Sequence, residues 1–164
     1  MALTRRSAIA GLAAGALLLA ACGGPPPGAD PLSTVQRIYD PYVAKKNPPD
    51  LINAAPWTGE MGALIARVER QEQRTHDAII EFDPIVNGSD WDISNLHLEL
   101  SKPPTNGEAQ VRARFINLGD ETVVTFALKQ EGGGWRIDNI AADNWTLRQQ
   151  FANAGITPQT RDPS

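Results

Sequence analysis

Apolar positions along this chain follow one period in its first half and another in its second. Leu32, Val35, Ile38, Tyr39, Tyr42 and Val43 recur at helical spacing. Asp30 and Pro31 precede them as an N-cap and a first-turn proline. The periodicity predicts a helix, and Pro41 is expected to kink or split it. Lys45 to Pro56 holds Pro48, Pro49 and Pro56 and reads as a loop. A second helix is predicted from about Thr58, with Met61, Leu64, Ile65 and Val68 as its apolar stripe and Glu69 to Arg74 as its solvated end. Thr75 to Ile93 gives no regular signal.

From there the period becomes two. Leu96, Leu98 and Leu100 alternate with polar residues, as do Val111, Ala113 and Phe115; Val124, Phe126 and Leu128 follow, then Trp135 and Ile137. A turn at Gly119-Asp120 pairs Phe115 with Val124, Ala113 with Phe126 and Val111 with Leu128, apolar against apolar each time. Gly132-Gly133 sets Leu128 opposite Ile137, and a longer turn at Pro103 to Gly107 joins the first two strands. Asp143 is expected to cap a last helix carrying Trp145, Leu147 and Phe151. The prediction is an α+β fold: N-terminal helices on one face of a four-stranded antiparallel meander, with a C-terminal helix. The other face would carry Arg112, Arg114, Thr125, Lys129, Arg136 and Asp138 with Ile116, Val123 and Ile140. That mixture suits a solvated face or a homodimer patch.

The N-terminus adds an address. Arg5 and Arg6 precede an uncharged apolar run from Ala8 to Ala21 of about 14 residues, short of the roughly 20 that cross a bilayer. Leu19-Ala20-Ala21-Cys22 closes it. This is the layout of a secretory signal, and its last four residues resemble the lipobox of bacterial lipoproteins. In such proteins the thiol is diacylglycerylated, acyl chains such as palmitate are carried there, and the chain is cut just before the Cys. Thr4-Arg5-Arg6-Ser7 also resembles part of a twin-arginine export signal, so either that route or general secretion fits. The organisation expected is a signal peptide over 1–21, a lipidated Cys and Gly/Pro tether over 22–29, a single domain over 30–156 and a polar tail over 157–164.

Composition narrows the partners. The chain has 15 basic and 19 acidic residues, and losing Arg5 and Arg6 with the leader makes it more acidic still. An acidic domain is poorly matched to nucleic acid. Cys22 is the only cysteine, so no internal disulfide can form. Gly23 follows it where Asp often retains such proteins at the inner membrane. That leans towards the periplasmic face of the outer membrane in a Gram-negative cell.

Four segments then line up in order: Arg37-Ile38-Tyr39-Asp40-Pro41-Tyr42; Phe82 to Asn87 with Asp90-Trp91-Asp92; Val111 to Asn117; and Gly133 to Ile140. Together they resemble the YbjP/YqhG-like group of small bacterial envelope lipoproteins of uncharacterised function, over about Leu32 to Phe151. The resemblance implies an NTF2-like or cystatin-like α+β fold and an envelope compartment. It carries no catalytic residue across, and no cofactor.

Asp83, Asn87, Asp90 and Asp92 form the densest polar cluster. Their oxygens suit a hard cation such as Ca²⁺, but the spacing is not that of an EF-hand. Turn and capping chemistry around Asn87-Gly88 accounts for the same residues. His97, beside Glu99 on the polar face of its strand, is either a general base or a solvated side chain. The four tryptophans either pack or line a ligand site. Two functions follow. One is a non-enzymatic, membrane-tethered module that binds an envelope partner. The other is an NTF2-like small-molecule binder or enzyme using the cone between helices and sheet. An open apolar cone with an inward Asp or His would favour the second, and a cone filled by Leu96, Phe115, Phe126 and Trp135 would remove it.

Overall fold

A computed structural model describes residues 28–158. Arg5, Arg6, the lipobox Leu19-Ala20-Ala21-Cys22, most of the expected tether and the end of the tail lie outside the described residues. Helix α1 spans Pro31–Val43, and Asp30 caps it by accepting from the Ser33 N–H. Pro41 does not split it: the helix runs through to Val43. The proline sits in the last turn, where it withholds only one intrahelical donor. Inside the Pro-rich stretch expected to be a loop, Asp50 caps a short helix α2, Leu51–Ala54. Helix α3 spans Gly59–Thr75, with Thr58 as N-cap and His76 in the left-handed region at φ 61 as C-cap. Its predicted stripe of Met61, Leu64, Ile65 and Val68 is buried.

The strands are β1 Ile93–Thr105, β2 Glu108–Asn117, β3 Asp120–Glu131, β4 Gly134–Ala142 and the two-residue β5 Trp145–Thr146, followed by helix α4, Leu147–Asn153. They form one antiparallel sheet in sequence order. The meander was expected to have four strands; β5 is a fifth, short one.

Register differs from the prediction in three places. The β2–β3 turn is Leu118-Gly119, at φ 54 and 99, so Phe115 pairs with Thr122, Ala113 with Val124 and Val111 with Phe126. The slip is two residues, which leaves every side chain on its predicted face. It is pinned from outside the turn. The Leu118 N–H donates to Asp92 O, and the Asn117 side chain accepts from Asp92 N and donates to Asp90 O. Likewise β1 continues through Pro103 and Pro104 to a two-residue Asn106-Gly107 turn; prolines are tolerated there because β1 is an edge strand. Leu128 does face Ile137. A bulge then leaves Asp138 unmatched between the pairs Leu128–Ile137 and Ala127–Asn139. The bulge flips parity. Ile140, expected on the outer face, is therefore 0% exposed in the core.

Asp143 is not a helix cap either. It sits at φ 45 just before β5, and the cap of α4 is Thr146, which accepts from Gln149 N. Trp145 belongs to β5.

Helices α1, α3 and α4 pack against the sheet, and the core lies between them and its inner face. The far edge of β4 is covered by three separate segments. Gly28 exchanges backbone bonds with Trp135, Pro56 and Thr58 bond Ile137, and β5 pairs with Ala141 and Ala142. A Cβ on Gly28 would stand 1.9 Å from the Thr34 hydroxyl oxygen, so this approach needs glycine.

Candidate functional site

The space between α1 and the curved sheet is occupied by protein. Tyr39 projects from α1 onto Phe115 and Phe126, with ring centroids 5.4 and 5.9 Å away. Its hydroxyl donates to Ile85 O at 2.8 Å. Burial pushes that hydroxyl's pKa well above the usual tyrosine value. Trp135 is buried and Leu96 packs against the same cluster. The cone is filled.

The loop before β1 holds the polar cluster, and its members serve different partners. Asp83 accepts from the Tyr42 hydroxyl and from Ile85 N. Its backbone exchanges two bonds with Gly88. The Asn87 side chain accepts from Trp145 Nε1 and donates to Asp143. Asp90 contributes its carbonyl to Asn117. Asp92 pairs with Lys45 at 2.8 Å. Among the described residues no three His, Cys, Asp or Glu side chains are grouped to hold a metal ion.

Burial raises the Asp83 pKa, against the lowering effect of the Tyr42, Ile85 and Val86 donors. Burial, reinforced by the Asp83 charge and hydrogen bond, pushes the Tyr42 hydroxyl far above its ordinary range. Sequence separation hid this pair: its members are 41 positions apart along the chain. The available clue was that a buried tyrosine must find a partner for its hydroxyl.

Tyr42 and Asp83 also border an open cleft of about 360 Å³, bounded by α2, α3 and the 80–85 segment. Its lining includes Leu51, Ala54, Ile65, Val68, Ile80 and Phe82. Periodicity alone does not reveal it, because one wall is α2, inside the stretch expected to be a loop. A larger groove of about 660 Å³ runs along α3 from Gly59 to Arg70, but its lining carries Glu60 and Glu131 together with Arg67 and Arg70. Opposite charges offset each other across it, so it favours no ligand charge.

The outer sheet face is laced with ion pairs. Glu99 meets Arg112 at 3.2 Å and Arg114 at 3.7 Å. Asp138 meets Lys129 at 3.1 Å and Arg148 at 2.9 Å. His97 is exposed and stands opposite Arg114 in the register. Each tryptophan has a packing role. Trp57 and Trp135 are in the core, Trp91 stacks edge-on against Tyr42, and Trp145 does so against Phe82. Among the described residues no helix is long and apolar enough to cross a membrane.

No protein-family model and no curated protein matches the chain. Among solved structures it is similar to the phospholipid-binding protein from Ralstonia solanacearum in complex with a phospholipid, at 14% identity and a TM-score of 0.36. The match covers 76% of this chain and 60% of that one. A likeness this distant carries no argument about what this chain binds.

Proposed function

We propose that this chain is a lipid-anchored, non-enzymatic binding module of the bacterial cell envelope. Cys22 is its lipidated residue, and the periplasmic face of the outer membrane is its site in a Gram-negative cell. The fold is read as NTF2-like or cystatin-like, and the chain as similar to the YbjP/YqhG-like envelope lipoproteins. The lipobox supports the anchor. Gly28 is already bonded to Trp135, so the six residue steps from Cys22 to Gly28 allow a reach of roughly 20 Å at full extension. The domain would then stay close to the bilayer surface.

The observation that carries the binding reading over the pocket-enzyme reading is Tyr39. It occupies the cone where a substrate would otherwise sit, against Phe115 and Phe126. Recognition is thereby moved to the surface, where the cleft beside α3 offers apolar walls and charged edges.

Membrane fractionation of a Cys22→Ser variant tests the anchor. The variant is expected to leave the membrane fraction while its thermal unfolding is unchanged. A Ser variant that stays membrane-bound in its processed form overturns the proposal.

A further inference from the structure

The cleft between α2, α3 and the 80–85 segment combines an apolar floor with an acidic rim. Asp50, Glu69, Glu72 and Asp83 line its edges, and among the described residues no lysine or arginine lines it. The bonds made by these carboxylates come from neutral donors. Asp50 accepts from the Asn53 backbone and side chain. Glu72 accepts from Ile79 N at 2.7 Å. Asp83 accepts from the Tyr42 hydroxyl and Ile85 N. Such bonds satisfy lone pairs and leave the net charge in place. Glu69 registers the consequence: burial, then the charges of Asp50 and Glu72, raise its pKa, and the smaller opposing pull of Arg70 does not cancel them. Helix α3 sorts its charges, since Arg67, Arg70 and Arg74 line a separate polar groove with Gly155 and Ile156.

We infer that this cleft binds a small cationic amphiphile, its apolar body on the floor formed by Ile65, Val68, Ile80 and Phe82 and its ammonium group among the rim carboxylates. The inference rests on the binding-module reading and names its ligand class. Charge decides the occupant. An anion would be repelled from the rim. A neutral apolar ligand would desolvate carboxylates and return nothing for it. A cation compensates a rim on which, among the described residues, Arg70 acting on Glu69 only partly offsets the carboxylates. The volume of about 360 Å³ is near the lower end of the roughly 300–1,000 Å³ of small-molecule sites, which fits a compact ligand better than a peptide.

The test uses the full chain in phosphatidylcholine nanodiscs, titrated calorimetrically with hexyltrimethylammonium and with hexanol, with empty discs as the blank. Saturable binding of the cation is expected, roughly tenfold tighter than hexanol, the scale of one charge-assisted contact. Added salt should weaken it. Glu69→Gln should weaken it severalfold while unfolding at the same temperature as wild type or higher, because the substitution relieves repulsion. Equal binding of hexanol, no saturation above the empty discs, or a Glu69→Gln variant that binds like wild type would each overturn the inference. Displacement of the probe by a tighter-binding basic amphipathic peptide would overturn the small-ligand assignment in favour of a protein partner. A chain that elutes apart from the discs overturns the anchoring proposal alone, and the same titration on the free chain then decides the cleft.

Discussion

Asp83 and Asp138 are both carboxylates withdrawn from solvent, and the fold holds them in opposite ways. Asp138, on the bulge of β4, receives Lys129 from β3 at 3.1 Å, Arg148 from α4 at 2.9 Å and the Thr58 hydroxyl from the cap of α3 at 3.1 Å. Asp83 receives the Tyr42 hydroxyl and backbone N–H groups, all neutral. The first arrangement compensates charge and ties β3, α4 and the cap of α3 to β4, the last across 80 positions of sequence. The second satisfies lone pairs, leaves the charge in place, and lets burial raise the carboxyl pKa. The difference separates a carboxylate that joins structure from one that shapes a loop and lends its charge to the neighbouring cleft.

Asp138→Ala is the strongest way to break this contrast. It leaves Arg148, Lys129 and the Thr58 hydroxyl without their shared acceptor. Removing one member of a buried pair costs about 3–5 kcal/mol. Here the Lys129 and Arg148 side chains are 45% and 25% exposed, so water recovers part of the loss and about 2–3 kcal/mol is expected. Urea denaturation measures it. A loss below about 1 kcal/mol would mean that packing, not this network, joins α3, β3 and α4.

Tyr42→Phe comes next, at about 1–2 kcal/mol, because it removes a donor from a half-buried carboxylate. Its cost should be larger at neutral pH, where Asp83 is ionised, than at pH values low enough to protonate it. The same urea series at both pH values checks this, and a pH-independent cost would place the loss in the aromatic packing with Tyr39 and Trp91 instead. Lys129→Ala should cost less, under about 1 kcal/mol, since its side chain is the more exposed of Asp138's two cationic partners. A larger loss would show that Arg148 cannot hold Asp138 without it.

These contrasts also mark what could be read from the residues in order. Periodicity of two in β2 and β3 placed Val111, Ala113, Phe115, Val124, Phe126 and Leu128 on one face, and all are buried. It could not fix which partners they meet, because a two-residue slip leaves every face unchanged. That choice is made by Asn117 and Leu118 reaching the loop at Asp90 and Asp92, contacts with no local signature. Alternation failed at Asp138 for a related reason. A bulge adds one residue, and so Ile140 turned inward and Asp138 became buried. The polar cluster was legible as a group of residue types. Its chemistry was not, since Asp83 answers to Tyr42 on α1, Asn87 to Trp145 on β5 and Asp92 to Lys45 in the turn after α1. The cleft depends on α2 forming in a Pro-rich stretch, where Asp50 supplies the cap and only four residues are helical.

Asp83→Asn should produce the smallest change in stability at neutral pH and the most specific dependence on pH. The substitution keeps shape and one carbonyl oxygen to accept from Ile85 N, and the Tyr42 hydroxyl can rotate to accept from the new amide. Asp83 has a folded-state pKa raised above its ordinary value of 3.8. A group of that kind favours the folded state when protonated, and its contribution is lost as pH rises through the raised pKa. Wild type and variant should therefore unfold alike at pH values well below the ordinary carboxylate range, where the acid is protonated in both states and matches the amide in charge. The variant should then gain on wild type as pH rises and hold a constant margin once Asp83 is ionised in the native state. Other titrating groups, Glu69 included, are common to both proteins and cancel in the difference. A margin of the opposite sign, with wild type gaining as pH rises, would mean that the ionised Asp83 is stabilised by its donors more than burial penalises it. The contrast with Asp138 would then be one of partners but not of energetics.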